Sequence, residues 1–146
     1  MEIVKEPNKI LRKKLKEVKE VTPEIEALIS NMKKAMIEAH GIGLAANQVG
    51  KDLQLFVIDE NLAKENDAPE VYINPEVTEF SKDSAEMEEG CLSIPGFWHQ
   101  IPRSKKIKIK ALDEDGKKIK LRAKGFLARV LQHEYDHLQG ILIKDK

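Results

Sequence analysis

Hydrophobic positions recur along this chain with helical spacing in two long segments. Between Thr22 and His40 they form one stripe, which predicts a helix that is N-capped by Thr22, has Pro23 in its first turn and ends at His40-Gly41. The same spacing predicts a second helix from about Lys124 to Gln139, closed by Gly140. Each helix therefore has one apolar face to bury against a core.

Other segments carry the patterns of strands. Lys105 to Leu112 and Lys117 to Arg122 alternate apolar and basic residues, which predicts an antiparallel hairpin with one solvated face. The apolar run from Leu53 to Asp59 predicts a buried strand. Weaker patterns predict a helical turn within 1–21, a loop over 61–69 and a terminal strand at 141–143. Short strands are predicted at 71–73 and 77–80, with a break at Asn74-Pro75. Residues 97–99 are predicted to form an aromatic loop, with His99 exposed and Trp98 at the rim of a cleft. The expected fold is α+β, with short antiparallel strands around the C-terminal helix.

Length and composition limit the class of protein. A chain of 146 residues, 41% hydrophobic and 34% charged, is expected to form one domain over residues 1–146. The 25 basic and 25 acidic residues balance, so no strongly charged partner is indicated for the whole chain. One cysteine excludes an internal disulfide and suits a reducing compartment. No apolar run approaches a membrane span and the first 20 residues are too charged for a signal peptide, so we expect a cytoplasmic protein.

The hairpin region is locally basic. From Arg103 to Arg122 there are nine basic and three acidic residues, a pattern compatible with contact to RNA. The segment has no interleaved aromatic residues for stacking on bases, which favours a solvated strand face instead.

The C-terminal helix contains the run Gln132-His133-Glu134-Tyr135-Asp136-His137. His133 and His137 are four residues apart, so both imidazoles lie on one helix face and can hold one metal ion. The adjacent Glu134 can take a proton from water and return it to a leaving amine, which is the chemistry of a metal-dependent hydrolase. A surface helix with two histidines already hydrogen-bonded is the alternative for such a run alone.

A catalytic metal site usually has three protein ligands, and the third must lie upstream because few residues follow His137. The candidates are Cys91, His40, His99 or a carboxylate. The thiolate of Cys91 is the strongest donor among them, although a lone cysteine is often only a small buried side chain. His40, at the end of a helix, suits a structural role. The acidic cluster before Cys91, which includes Glu86 and Glu89, is compatible with a solvated face.

Three runs occur in order along the chain: Gly41-Ile42-Gly43-Leu44-Ala45-Ala46-Asn47-Gln48, Glu89-Gly90-Cys91-Leu92-Ser93, and Gln132 to His137. Together they resemble the three motifs of the peptide deformylase family, and the similarity extends over almost the whole chain. The resemblance implies removal of the N-formyl group from the initiator methionine of nascent polypeptides, with release of formate.

The resemblance also implies roles for individual residues. Cys91, His133 and His137 would bind the metal, and Glu134 would be general base and then general acid. The Gln48 amide and the Leu92 backbone N–H would stabilise the oxyanion. The peptide would lie as an added strand, bonded by the backbones of Ile42, Gly43 and Gly90, with its methionine near Ile42, Phe126 and Val130. The donor set alone suits zinc, whereas the resemblance implies Fe²⁺, replaceable by Zn²⁺, Ni²⁺ or Co²⁺.

Two departures from the family pattern bear on these expectations. Asn47 stands where many members have proline or threonine, which affects the rigidity of the loop but not Gln48. The chain also ends nine residues after His137, without the C-terminal helix that docks some members on the ribosome, so ribosome association by that route is not expected. The expected partners are N-formylmethionyl peptides, with no membrane, and the chain is expected to be a monomer. A zincin-type endopeptidase and a non-catalytic peptide binder with a structural metal are the rival hypotheses.

Overall fold

A computed structural model describes residues 1–146 and contains three helices and seven strands. The helices are α1 (Pro23–Glu38), α2 (Glu60–Glu65) and α3 (Gly125–Leu138). The strands are β1 (Gly43–Ala45), β2 (Leu55–Ile58), β3 (Val71–Phe80), β4 (Ser84–Cys91), β5 (Ile94–Ser104), β6 (Lys106–Leu112) and β7 (Lys118–Lys124). Short 3-10 turns occur at Lys9–Arg12, Ala46–Val49 and Ile143–Asp145.

The strands form two antiparallel sheets. The larger sheet has the order β1-β2-β3-β6-β7, and β4 pairs with β5 in a separate two-stranded sheet. Helix α3 packs against strands of both sheets, including β1, β7 and β5. The predicted α+β fold, with antiparallel strands around the C-terminal helix, is confirmed.

The core lies on both faces of the larger sheet near β2. Phe56 and Ile58 pack in a cluster with residues of α3, whereas Leu55 and Val57 pack in a second cluster with residues of α1. Successive side chains of a strand point to opposite faces, so a strand between two helices must be apolar throughout. This explains the uninterrupted apolar run that predicts β2.

The two long helices and the basic hairpin are confirmed. Thr22 caps α1 by accepting a hydrogen bond from the Ile25 backbone N–H at 3.3 Å. The β6–β7 pair is antiparallel over its whole length, with Lys106 opposite Lys124 at one end. None of the helices combines the length and apolar character needed to cross a bilayer.

The loop predicted at 61–69 is wrong at its start, because α2 occupies Glu60–Glu65. Asp59 caps this helix by accepting from the Leu62 N–H at 3.1 Å. The break predicted at Asn74-Pro75 is also wrong, since β3 continues through it with a register shift. Asn74 has a positive φ of 50° and exchanges hydrogen bonds of 2.7 and 2.8 Å with the backbone of Val18. These bonds hold the bulge in the strand.

Two predictions near the ends of the smaller sheet are corrected. Residues 97–99 belong to β5 rather than to a loop, and His99 is half-buried with its Nε2 2.8 Å from the Lys146 carbonyl oxygen. The predicted terminal strand is absent, and Ile143–Asp145 form a 3-10 turn instead. Asp145 closes that turn by accepting from the Leu142 N–H at 2.9 Å.

Candidate metal centre and active site

Helix α3 and the end of β4 bring three metal-binding side chains together. Ligand atoms of Cys91, His133 and His137 all lie within 4.8 Å of one another. The two imidazole rings are 5.0 Å apart in an edge-to-face arrangement, and the Cys91 Sγ is 3.4 Å from the His137 Nε2. The other candidate ligands, His40 and His99, are not part of this group.

The chemistry of the three side chains fits a transition-metal ion. Two imidazoles and one thiolate are the nitrogen and sulfur donors that zinc and iron accept in proteins. Burial, followed by the nearby His133, lowers the pKa of His137 well below its usual value, so this imidazole is neutral as a ligand must be. Burial alone would lower the pKa of His133, but contacts with Cys91, Glu134 and Glu89 raise it to about 10. Surroundings that favour a proton on His133 also favour a metal cation.

Glu89 fixes the orientation of His133. Its Oε1 lies 2.9 Å from the His133 Nδ1, so the Nε2 of that ring is the atom left for a metal. Arg103 binds the same carboxylate through two hydrogen bonds of 3.0 Å, and the Arg129 Nη1 lies 2.5 Å from its Oε2. Arg103 also contacts Asp136 at 2.5 Å. Burial alone would raise the pKa of Glu89, but its hydrogen bonds with His133 and Arg103 hold it well below its usual range.

The solvated face proposed for the acidic cluster is therefore wrong for Glu89, which is only 7% exposed, although Glu86 is exposed. Sequence reasoning also missed Arg129. One signal was available for it: Arg129 stands four residues before His133, on the inward face of α3, where an unpaired cation would be costly. An arginine at that position indicates a buried acidic partner.

Glu134 lies beside the three candidate ligands in a buried position. Its side chain is almost inaccessible, and burial raises its pKa to about 7. The Oε1 atom is buried and has no hydrogen-bond partner within the chain. A Cβ at Gly43 would come within 2.6 Å of the Glu134 Oε2, so a glycine is needed there to make room for the carboxylate.

Gln48 is held with its amide nitrogen toward Cys91. Its Oε1 accepts from the Ala45 N–H at 3.0 Å, and its Nε2 donates to the Ser93 Oγ at 3.1 Å and lies 3.7 Å from the Cys91 Sγ. The Ser93 hydroxyl donates to the Val4 carbonyl at 2.7 Å, so it can only accept from Gln48. In the adjoining turn, the Leu92 backbone N–H donates no hydrogen bond within the chain.

Asn47 ties the same loop to α3. It is fully buried, and its Nδ2 donates to the His137 carbonyl at 2.8 Å. The amide thus gives the loop a fixed contact to the helix that carries the histidines, at the position where the sequence departs from the family pattern.

A cleft of about 620 Å³ opens over these groups. Strand β1 forms one wall and pairs only with β2, so its other edge is free. Trp98 is 64% exposed at the rim, and its ring packs on Gly90, where a Cβ would come within 2.5 Å of the indole. The cleft is lined by every residue expected to contact the substrate: Ile42, Gly43, Gln48, Gly90, Leu92, Phe126 and Val130.

Comparison with known proteins identifies the relatives of this chain. The family model described as polypeptide deformylase matches residues 1–146. The peptide deformylase of Thermodesulfovibrio yellowstonii is 46% identical over 146 residues, which are 100% of this chain and 88% of that protein. The crystal structure of peptide deformylase from Thermotoga maritima superposes with a TM-score of 0.92 at 38% identity, covering 99% of this chain and 95% of that one. A peptide deformylase from Synechococcus elongatus, solved in complex with actinonin, gives a TM-score of 0.91 at 39% identity, covering 99% and 76% of the two chains.

Proposed function

This chain belongs to the polypeptide deformylase family, and from that premise we propose that it removes the N-formyl group from the initiator methionine of nascent polypeptides and releases formate. The observation that carries the proposal is the grouping of Cys91, His133 and His137 within 4.8 Å, beside a cleft whose lining includes Cys91, His133 and Glu134. We further propose that residues 1–146 act as one catalytic domain, as a monomer, in the cytoplasm where nascent chains are made.

Cys91, His133 and His137 would hold one divalent ion, and we propose Fe²⁺, with Zn²⁺, Ni²⁺ or Co²⁺ able to replace it. Such an ion would polarise the formyl carbonyl and would lower the pKa of water enough for attack at neutral pH. The choice of iron rests on the family resemblance, because the donor set by itself suits zinc. Glu89 supports the site by keeping the His133 Nε2 turned toward Cys91.

Glu134 would move the proton. A carboxyl with a pKa of about 7 is divided between its two forms near neutral pH, which suits a group that must first accept a proton and then donate it. The unpartnered Oε1 is the atom at which the proton would be taken up. The proton would then pass to the amine of the methionine as the bond to the formyl carbon breaks, leaving formate and a free N-terminus.

Gln48 and Leu92 would stabilise the negative charge that develops on the formyl oxygen. The hydrogen bonds that Gln48 makes to Ala45 and Ser93 fix its amide, so its second N–H is oriented before the substrate arrives. The Leu92 N–H is free to donate in the same region. Donors that need no reorganisation during the reaction give most of the benefit of an oxyanion hole.

The peptide would bind along the free edge of β1. Backbone groups at Ile42 and Gly43 would pair with it as with an added strand, and Gly90 on β4 would contact it from the opposite wall. The methionine side chain would enter the apolar part of the cleft near Phe126 and Val130, which lie one helical turn apart on α3. Phe126 is 44% exposed without substrate, so methionine would cover apolar surface there.

Formate release from formyl-Met-Ala-Ser by the purified protein tests the proposal directly. Acetyl-Met-Ala-Ser and unformylated Met-Ala-Ser serve as controls. They have the same peptide, but the first carries an acetyl group in place of the formyl group and the second has a free amine. Cleavage at an internal bond would identify an endopeptidase instead. A metal-loaded protein that binds the formyl peptide without releasing formate would identify a non-catalytic binder.

A further inference from the structure

The exposed side chains on the outer face of the β6–β7 hairpin are all cationic, and the one apolar residue on that face, Leu112, is partly buried. Exposed and buried residues alternate along both strands, and the buried ones, such as Ile107, Ile109 and Ala123, pack into the core beside α3. The exposed residues are Lys106, Lys108 and Lys110 on β6 and Lys118, Lys120, Arg122 and Lys124 on β7. We call these seven residues the basic face.

The register of the hairpin places like charges directly opposite one another. Lys106 faces Lys124, Lys108 faces Arg122, and Lys110 faces Lys120. Like-charged residues in directly opposed positions destabilise a sheet. The arrangement therefore destabilises the sheet, and a surface that serves only solubility does not require it. It occurs in a chain whose 25 basic and 25 acidic residues balance.

Neighbouring acidic groups neutralise only a small part of this charge. On β3, Glu79 pairs with Lys108 at 3.0 Å and Glu76 pairs with Lys110 at 3.4 Å. The other five cations of the basic face, Lys106, Lys118, Lys120, Arg122 and Lys124, make no ion pair within the chain. The basic face thus offers five uncompensated positive charges to a partner.

The shape of the region suits an anionic backbone. A shallow depression of about 480 Å³ is lined by four cations of the basic face, Lys106, Lys108, Arg122 and Lys124, and by one acidic residue, Glu79. It shares no residue with the catalytic cleft. Strand β7 is the edge of the sheet, and its residues from Lys118 to Lys124 span about 20 Å at the usual rise per residue. Duplex DNA carries a phosphate charge about every 1.7 Å along its axis, and a strip of that length reaches several phosphates of a duplex with such dense charge.

We infer that the basic face binds the phosphate backbone of double-helical RNA. The face has no aromatic side chain on which unpaired bases could stack, which argues against single-stranded nucleic acid. The hairpin is part of a five-stranded sheet and does not project from it as a separate two-stranded ribbon, so it is poorly shaped to enter the major groove of DNA. The wide, shallow minor groove of an A-form helix, with phosphates along both sides, is the better match for a flat surface of lysines. This binding goes beyond the proposed hydrolysis, since it uses none of the residues of the cleft.

The test compares two triple variants with the same change in charge. The first, Lys120→Gln with Arg122→Gln and Lys124→Gln, removes three unpaired cations of the basic face. The second, Lys14→Gln with Lys19→Gln and Lys34→Gln, removes three exposed lysines elsewhere that make no ion pair. Binding to a fluorescent RNA duplex of about 16 base pairs is measured between 50 and 200 mM salt. A DNA duplex of the same sequence and vesicles containing phosphatidylserine are the comparison ligands.

If the five unpaired cations each neutralise one phosphate, affinity of the unchanged protein should fall roughly 500-fold between 50 and 200 mM salt. The basic-face variant, with two such cations left, should bind more weakly at 50 mM and lose only roughly 12-fold over the same range. The control variant should behave like the unchanged protein, and formate release from formyl-Met-Ala-Ser should be the same in all three proteins.

Four results would overturn the inference. They are no RNA binding at 50 mM salt, an equal loss in the control variant, tighter binding to the DNA duplex than to RNA, and tighter binding to the vesicles than to RNA. Unchanged formate release in the variants keeps a failure of this inference separate from a failure of the proposed function.

Discussion

Replacing Glu89 by glutamine should weaken both the fold and the metal site, although Glu89 is not a candidate ligand. In the structure one carboxylate accepts from Arg103, Arg129 and His133. Glutamine has the same shape but one oxygen fewer and two N–H donors. Whichever way its amide turns, an N–H will point at a group that also donates. Of the two buried arginines, Arg103 will keep only the Asp136 carboxylate, and Arg129 will keep only backbone carbonyls.

The cost can be worked from the burial of these partners. Glu89 is 7% exposed, and the side chains of Arg103 and Arg129 are 4% and 8% exposed, so solvent cannot replace the lost charge. Breaking a buried ion pair from one side costs about 3–5 kcal/mol. For a chain of this length that corresponds to a fall in Tm of about 6–20 °C.

The effect on the metal follows from His133. The one oxygen of glutamine is best placed where Oε2 accepts from both arginines, which leaves the NH₂ group beside the Nδ1–H of His133. The Nδ1–H then has no acceptor, and the ring is no longer held with its Nε2 toward Cys91. Loss of such a supporting partner typically weakens metal affinity about 10–100-fold. We therefore expect Glu89→Gln to release its metal to a chelator at a correspondingly lower concentration than the unchanged protein.

Thermal unfolding of the metal-free proteins and chelator competition on the nickel-loaded proteins measure the two effects separately. The matched control is Glu86→Gln, which makes the same change at an exposed position on the same strand, with no ion pair. The reasoning about Glu89 is refuted if the two variants unfold at the same temperature and retain nickel equally well.

Four further predictions concern the chemistry of the cleft. Glu134→Gln should keep its metal but lower formate release by about 10²–10⁴, because it removes proton transfer and no ligand; near-normal turnover would exclude Glu134 as the base. Gln48→Ala should lower kcat about 100-fold and change KM little, and a change in KM alone would indicate a substrate-positioning role. Gly43→Ala should displace Glu134, since the new Cβ would lie 2.6 Å from its Oε2, and formate release should fall while metal content stays; retained activity would contradict this. Apo protein reloaded anaerobically should be active with iron and lose activity in air, stay active with nickel or cobalt, and turn over more slowly with zinc; equal iron and zinc rates without loss in air would contradict the iron assignment.

Periodicity predicted the elements whose pattern extends over many residues. Helices α1 and α3 and the β6–β7 hairpin have long amphipathic patterns, so local sequence and tertiary packing agree. The errors occur where a few residues decide the structure. Helix α2 has only 6 residues and depends on the Asp59 cap, and β3 continues past Asn74 only because that side chain bonds to the distant backbone of Val18.

The residues of the candidate site also divide into those that the sequence predicted and those that it did not. The spacing of His133 and His137 placed two ligands on one helix face, and the family motifs supplied Cys91. Glu89 and Arg129 could not be placed by such reasoning, because each is buried only in the presence of the other and of Arg103. Long-range charge pairing of this kind leaves no period in the sequence.

The basic face shows what the structure adds to an alternating pattern. Alternation predicted that the lysines of the hairpin share one face, and that face was interpreted as a solvated surface. Any register that keeps the alternation sets cations of β6 opposite cations of β7, since a shift of two residues leaves every side chain on the same face. Alternation does not show which acidic groups lie beside them. In the structure two glutamates of β3 pair with Lys108 and Lys110, and the other five cations have no ion-pair partner. These unpaired charges change the interpretation from a solubilising surface to a binding surface for phosphates.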